Sequence, residues 1–239
     1  MRLKATIAYD GSRFYGFQYQ PDRPSVVSAL HDALRTLHIE TTIVGSGRTD
    51  RNVHATGQVV HFDVPDYWHD LTKLQTQLNR KFDAITVRRL DVASDTFHAR
   101  FDAKARLYRY IFKTMPPSVF ERRYVAYTAP FDTALLTRAL HCFEGTHDFA
   151  MFCKTGSDTK TTVRTVYQTR YYRRGVYHIV SIEGNAFLRS QVRLMMAGAF
   201  GVAQGRLSLH QLQAQRDGKA VYLRKPAPPE GLYLARVYY

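Results

Sequence analysis

Ile43-Val44-Gly45-Ser46-Gly47-Arg48-Thr49-Asp50-Arg51-Asn52-Val53-His54-Ala55-Thr56-Gly57-Gln58-Val59-Val60-His61-Phe62 places a polar run between two apolar ones. Residues 41–44 and 58–64 read as strands, and the run between them as a loop displayed by the scaffold around it. The loop lacks a third glycine and a following apolar helix, which excludes a dinucleotide-binding turn. No Gly-Lys-Ser/Thr follows, which excludes a P-loop. Arg48 and Asp50 remain, and two readings stay open for them: a reactive site or a solvated turn.

Outward from this loop the pattern extends in both directions. Leu3, Ala5, Ile7 and Tyr9 alternate with Lys4, Thr6 and Ala8, which predicts a strand with one buried face. Pro24-Ser25 opens a helix with Val26, Val27, Leu30, Ala33, Leu34 and Leu37 at helical spacing. Asp70 caps a second helix carrying Leu71, Leu74 and Leu78, and residues 85–92 form a strand. The order β-α-β-β-α-β is the ferredoxin-like pattern.

The second half reads similarly: a strand at 105–113, a helix at 132–143, a hairpin of 161–171 and 176–183 around Arg173-Arg174-Gly175, a helix from Asn185 to about residue 203, a shorter helix at 208–216 and a last strand at 232–238. The expected fold class is therefore α+β: two ferredoxin-like units, residues 1–98 and 99–239, whose antiparallel sheets pair and leave a basic cleft between them.

The 239 residues carry 34 Lys and Arg against 20 Asp and Glu, a net charge of +14. The basic residues are spread along the chain, as in Arg88-Arg89, Arg122-Arg123 and Arg173-Arg174. A folded chain this basic points to a polyanionic partner, nucleic acid before membrane, since no basic amphipathic helix with a strong apolar face is present. The 16 Tyr and 14 Phe, several beside arginines, suit stacking on unpaired bases, although most must fill the core. Cys142 and Cys153 form no Cys-x-x-Cys pair, and the ten histidines include no His-x-x-x-His or His-Glu pair, so neither a disulfide framework nor a metal site is implied. With no signal-like apolar region and no run as long as a membrane span, a reducing, cytoplasmic setting is expected.

Three further clusters hold candidate chemistry. In Arg106-Leu107-Tyr108-Arg109-Tyr110 the strand period puts Arg106, Tyr108 and Tyr110 on one face, either to stack on a base or as core tyrosines with hydroxyls at the rim. Arg193, flanked by Val192 and Met196, is either a partly buried guanidinium that needs a carboxylate or an exposed helix arginine. Asp50 is the candidate nucleophile or acid/base, or a turn former.

The loop also resembles the signature of the bacterial tRNA pseudouridine synthase A (TruA) family, in Gly47-Arg48-Thr49-Asp50, Val53-His54-Ala55 and Gly57-Gln58-Val59. Five more segments match in order: Tyr9-Asp10-Gly11-Ser12 with Tyr15-Gly16-Phe17-Gln18; Phe97-His98-Ala99-Arg100-Phe101; Ala105-Arg106-Leu107-Tyr108-Arg109-Tyr110; Asn185-Ala186-Phe187-Leu188 with Val192-Arg193; and Glu230-Gly231-Leu232-Tyr233-Leu234. The resemblance implies isomerisation of uridines 38 to 40 of the tRNA anticodon stem-loop to pseudouridine, by a homodimer, without cofactor or metal, with RNA rather than DNA or membrane as partner. It makes Asp50 the catalytic residue, Tyr108 the group that stacks on the target base and Arg193 the ion-pair partner of Asp50. Arg48 would hold the target nucleotide out of its stack, and Arg106 and Gln58 would contact substrate. Two rivals stand beside this reading, a non-catalytic RNA-binding protein on the same scaffold and a synthase acting on other RNA positions.

Two departures from the family pattern carry expectations. Asn52 stands where the family usually has glycine; if the position needs positive φ, asparagine is the best-tolerated replacement, so a left-handed Asn52 and an intact loop are expected. Gln191-Val192-Arg193-Leu194 stands where the family usually has Met-Val-Arg-Asn, which keeps the arginine and changes its neighbours.

Overall fold

The computed structural model describes residues 1–154, 156 and 159–239. In chain order its elements are β1 (Arg2–Tyr9), α1 (Val26–Arg35), β2 (Val44–Gly45), β3 (His54–Asp63), α2 (Leu71–Asn79) and β4 (Ile85–Val92). They continue with β5 (Ala105–Lys113), β6 (Ala126–Tyr127), α3 (Thr133–His141), β7 (Gly145–Asp148), β8 (Val163–Arg174), β9 (Tyr177–Gly184), α4 (Gln191–Ala203), α5 (Leu209–Arg216) and β10 (Leu232–Tyr238). The class is α+β with mostly antiparallel strand pairing, as expected.

Two compact units divide the chain: Met1–Lys104 with Tyr233–Tyr239, and Ala105–Leu232. The division lies six residues beyond the boundary expected after His98, and the last strand, expected in the second half, belongs with the first. The cause is pairing: Tyr233 and Leu234 of β10 run parallel to His54 and Ala55 of β3, and the Lys104 N–H donates to the Tyr238 carbonyl at 2.8 Å.

In the first unit β1 lies between β3 and β4, antiparallel to both. β2 and β10 share the other edge of β3, β2 against Val60 and His61 and β10 against His54 and Ala55. The alternation read in β1 is real burial, with Leu3, Ala5, Ile7 and Tyr9 inside. Ser25 caps α1 by accepting the Ser28 N–H at 3.0 Å, and Ser28 returns the bond to the Ser25 N–H. Leu37 lies beyond the helix, which His38 closes at φ 57°.

Two expected boundaries move. The strand read at 41–44 contracts to Val44–Gly45, and the strand expected from Gln58 starts at His54. A register shift opposite Ile7 and Tyr9 brings Ala55 into the sheet, while β10 collects His54 on the other side. The loop between β2 and β3 is thereby reduced to residues 46–53. Bulges of this kind re-aim the residues that follow them.

In the second unit β5 pairs with β9, β9 with β8 and β8 with β7, all antiparallel, and β6 lies parallel to β5. The β8–β9 hairpin turns at Gly175, φ 56°, where the arginine pair and glycine placed it. β6, two residues long, is too short to register as alternation, and β7, Gly-Thr-His-Asp, is too polar. Asn185 does not cap a helix: its Oδ1 accepts the N–H groups of Thr165 and Ala186 at 3.0 and 2.7 Å, tying the strand end instead. The helix begins six residues later, after a left-handed Ser190 at φ 60°, and the buried Gln191 turns its Oε1 back to the Leu188 N–H at 2.8 Å. α4 is apolar almost all round, and within it only Arg193 and Ala197 are not buried.

Candidate active site

Residues 46–53 are held from several directions. Ser46 donates its N–H to the Val59 carbonyl at 2.8 Å and its hydroxyl to Gln58 Oε1 at 2.6 Å. Gln58 Oε1 also accepts the Val59 N–H at 3.1 Å, while Gln58 Nε2 donates to the Gly47 carbonyl at 2.8 Å. Gln58 is 0% exposed. Expected as a substrate contact, Gln58 here has both ends of its amide bonded to the loop, which it braces from within.

The segment 10–17 grips the loop from another side. The Tyr9 hydroxyl is 2.8 Å from Thr49 Oγ1, and the Phe17 N–H donates to the Thr49 carbonyl at 3.1 Å. A Cβ on Gly11 would run into the Val53 carbonyl, and Gly16, at φ 114°, backs onto the Thr49 carbonyl. Glycine at these two positions is what allows the two backbones to touch. His54 is buried as well. Its Nδ1 accepts the Gly11 N–H at 3.0 Å, and its ring stacks on Tyr233 with centroids 4.7 Å apart. Asp10 Oδ1 lies 3.4 Å from the same Nδ1.

A braced frame thus carries Arg48, exposed, and Asp50, half-buried, with the turn closed by the Val53 N–H donating to the Asp50 carbonyl at 3.1 Å. Arg51 and Arg23 both lie over the Tyr15 ring, at 4.2 and 4.9 Å. Asn52 has φ 63°, the left-handed backbone expected of it. Asn52→Gly is accordingly expected to leave stability within about 0.5 kcal/mol, and Asn52→Val to lower it by about 1–2 kcal/mol in urea unfolding. A valine variant as stable as the wild type would show that the turn does not enforce this conformation.

The other candidates lie in the second unit. Arg106, Tyr108, Tyr110 and Phe112 share the buried face of β5, as their spacing required. Arg106 Nη1 donates to the Asn185 carbonyl at 2.7 Å. Tyr108 meets the Phe187 ring edge-on, at 5.3 Å and 87°, a contact worth about 0.5–1.5 kcal/mol that fixes the ring plane. Tyr110 is a core residue: its hydroxyl donates to the Pro228 carbonyl at 2.9 Å, and burial pushes its pKa far above the usual phenol range. Arg193 is half-buried, with Nε donating to the Ala227 carbonyl at 2.8 Å while the Ala227 N–H donates to the Arg193 carbonyl at 3.0 Å. The pair pins the proline-rich connection to α4.

The structure thus gathers Arg48, Asp50 and Gln58 in the first unit and Arg106, Tyr108 and Arg193 in the second. Sequence reasoning missed the supporting roles of Tyr9, Ser46, Thr49 and Phe187. Phe187 stood inside a matched segment, but nothing local in the sequence signals an edge-on contact with Tyr108. Among the described residues no helix is long and apolar enough to cross a membrane, and no three His, Cys, Asp or Glu side chains converge as a metal site.

Comparison with known proteins agrees with these matched segments. The family described as tRNA pseudouridine synthase matches residues 5–102 and 139–239. tRNA pseudouridine synthase A of Helicobacter hepaticus is 42% identical over 243 residues, covering 99% of this chain and 98% of that protein. The Wolinella succinogenes protein of the same name is 40% identical over 236 residues, covering 98% and 93%. That of Geobacillus sp. (strain WCH70) is 37% identical over 248 residues, covering 100% and 98%. Relatedness at this level along the whole length leaves one conclusion: the chain belongs to the tRNA pseudouridine synthase A family and is an isomerase acting on tRNA.

Proposed function

We propose that the enzyme converts uridines 38 to 40 of the tRNA anticodon stem-loop to pseudouridine, with Asp50 as its catalytic carboxylate. The observation that carries this reading is the loop itself. Ser46, Thr49 and Gln58 spend their polar groups on holding residues 46–53 still, and the loop so held presents Arg48 and Asp50.

The reaction breaks the N1–C1′ bond, turns the uracil and closes a C5–C1′ bond; the C5 proton leaves and N1 gains one, so no redox partner is required. The uridine must first leave its stack, and Arg48 holds the displaced nucleotide. Tyr108, its plane set by Phe187, stacks on the uracil. Arg193 supplies the positive charge that keeps Asp50 ionised, and Asp50 then acts at C1′ or on a sugar proton. Arg106 steadies the base-facing strand through its bond to Asn185. The same reading makes each compact unit ferredoxin-like, which the β-α-β-β-α-β order of the first supports, and makes the working protein a cytoplasmic homodimer.

The test is tritium release from unmodified tRNA carrying [5-³H]uridine, using transcripts with cytidine at 38, 39 and 40 as controls. Release by the wild type that disappears with the cytidine transcripts and with Asp50→Ala is the expected result. Release that persists with the cytidine transcripts would move the target elsewhere in the tRNA, and release by Asp50→Ala would remove the aspartate from the chemistry.

A further inference from the structure

A single carboxylate in the second unit ties together two segments, far apart in sequence, that each carry an arginine pair. Glu121 accepts Lys113 Nζ at 3.2 and 3.3 Å, the Ser118 N–H at 3.0 Å and the Tyr177 hydroxyl at 2.5 Å. Lys113 ends β5, and Tyr177 pairs with Arg174 across the β8–β9 hairpin. Arg122 and Arg123 follow Glu121 directly, while Arg173 and Arg174 flank the hairpin turn, where Arg173 Nε donates to the Gly175 carbonyl at 2.7 Å. All four arginines are exposed.

The segment bearing the first pair is wound tightly. The Glu121 and Arg122 N–H groups both donate to the Ser118 carbonyl at 3.0 Å, and those of Tyr124 and Val125 donate to the Glu121 carbonyl at 2.7 and 3.0 Å. On the outside of this rigid turn Phe120 is 86% exposed and Val119 66%. Packing gives no reason to hold a phenyl ring outward on a fixed support, whereas a flat partner does. Bonds from Tyr177, Ser118 and Lys113 hold the Glu121 carboxyl down to about 2, so it stays ionised and matched to Lys113. Residues 113–127 and 167–178 contain no other acid, so with Lys113 set against Glu121 the charges of Arg122, Arg123, Arg170, Arg173 and Arg174 are left in excess.

We propose that this end of the second unit is an additional tRNA contact, with Phe120 stacking on an unpaired base and Arg122, Arg123, Arg173 and Arg174 meeting the phosphates beside it. An exposed aromatic ring among arginines is the combination that binds single-stranded nucleotides without reading their sequence. A second copy of the chain fits less well, because a two-fold contact here would set guanidinium groups against each other. Lys113 lies five residues past Tyr108 on β5, about 17 Å at ~3.3 Å per residue. The contact therefore lies away from the reacting base and acts on binding. The proposal rests on tRNA being the substrate and not on which uridine reacts.

The experiment measures tRNA binding by fluorescence anisotropy across a salt series, together with tritium-release kinetics. It compares full-length wild type with Phe120→Ala, Phe120→Trp, Arg122→Ala/Arg123→Ala and Arg173→Ala/Arg174→Ala. Phe120→Ala is expected to weaken binding and raise KM by about tenfold, with kcat and Tm unchanged, and Phe120→Trp to restore both. Each arginine pair is expected to reduce the slope of log K against log salt by about 1–2. Unchanged affinity and slope in these variants would overturn the proposal. So would a dimer that dissociates on substitution while tRNA binding holds, since the surface would then be a self-contact. If wild type spares uridines 38 to 40 while the variants still lose affinity, the positional reading fails and this contact stands.

Discussion

Asp50→Asn is expected to yield a folded protein that binds tRNA as the wild type does and isomerises uridine on the order of 10⁴-fold more slowly. Asparagine has the shape of aspartate and loses only its charge and basicity. The turn at this position is closed by the Asp50 carbonyl, which accepts the Val53 N–H at 3.1 Å, and asparagine retains that bond. Single-turnover tritium release at saturating enzyme, beside anisotropy and a thermal melt, separates the possibilities. A slow enzyme with normal affinity and Tm places Asp50 in the chemical step. Loss of binding with an intact Tm would make it a recognition group, and near-normal turnover would remove it from the mechanism.

Gln58→Met is expected to destabilise the loop and slow the enzyme together. Methionine has nearly the same volume, so the substitution removes hydrogen bonds and leaves packing almost intact. The Ser46 hydroxyl then has no amide oxygen to donate to, and the Gly47 carbonyl loses its donor. Unpaired buried groups cost about 1–3 kcal/mol each, so a loss of about 2–4 kcal/mol is expected in urea unfolding. Hydrogen exchange should quicken at the Ser46 and Val53 amides, which the frame now protects. With Asp50 less well placed, kcat should fall roughly 10–100-fold. If Gln58→Met instead kept wild-type stability and lost only tRNA affinity, the side chain would be a substrate contact after all.

Both variants probe one loop, yet the two residues differed in legibility. Asp50 stood out as an aspartate in a glycine-bounded polar run, and the family signature gave it a role. For Gln58 the same signature implies a substrate contact, while the fold shows its amide bonded to Ser46 and Gly47. A glutamine entering a strand carries no local mark of whether its amide faces RNA or its own backbone. Asn52 is the contrary case, since only a few residue types tolerate a left-handed backbone, and an asparagine in place of glycine was enough to anticipate φ 63°.

Among the elements, those whose identity rests on neighbours in sequence were read correctly. β1, α1, β4, β5 and β10 follow from alternation or helical spacing bounded by Ser25 and other cap or turn residues. Elements that depend on a distant partner were misjudged. β3 starts early because β10 pairs with His54 and Ala55 while Tyr9 of β1 takes Ala55 from the other side, and the helix expected at Asn185 waits until Gln191 because Thr165 takes the asparagine side chain.

The amino-acid sequence by itself determined the α+β class, the element order, the family and the loop that displays Asp50, because periodicity, caps and a dense motif depend on residues a few positions apart. Only the tertiary structure decided that β10 returns to the first unit, that Gln58 braces the loop, and that Glu121 ties the turn before Arg122 and Arg123 to the hairpin that carries Arg173 and Arg174. Each of these depends on a buried or paired polar group meeting residues far away in the chain, and that meeting exists only once the chain has folded.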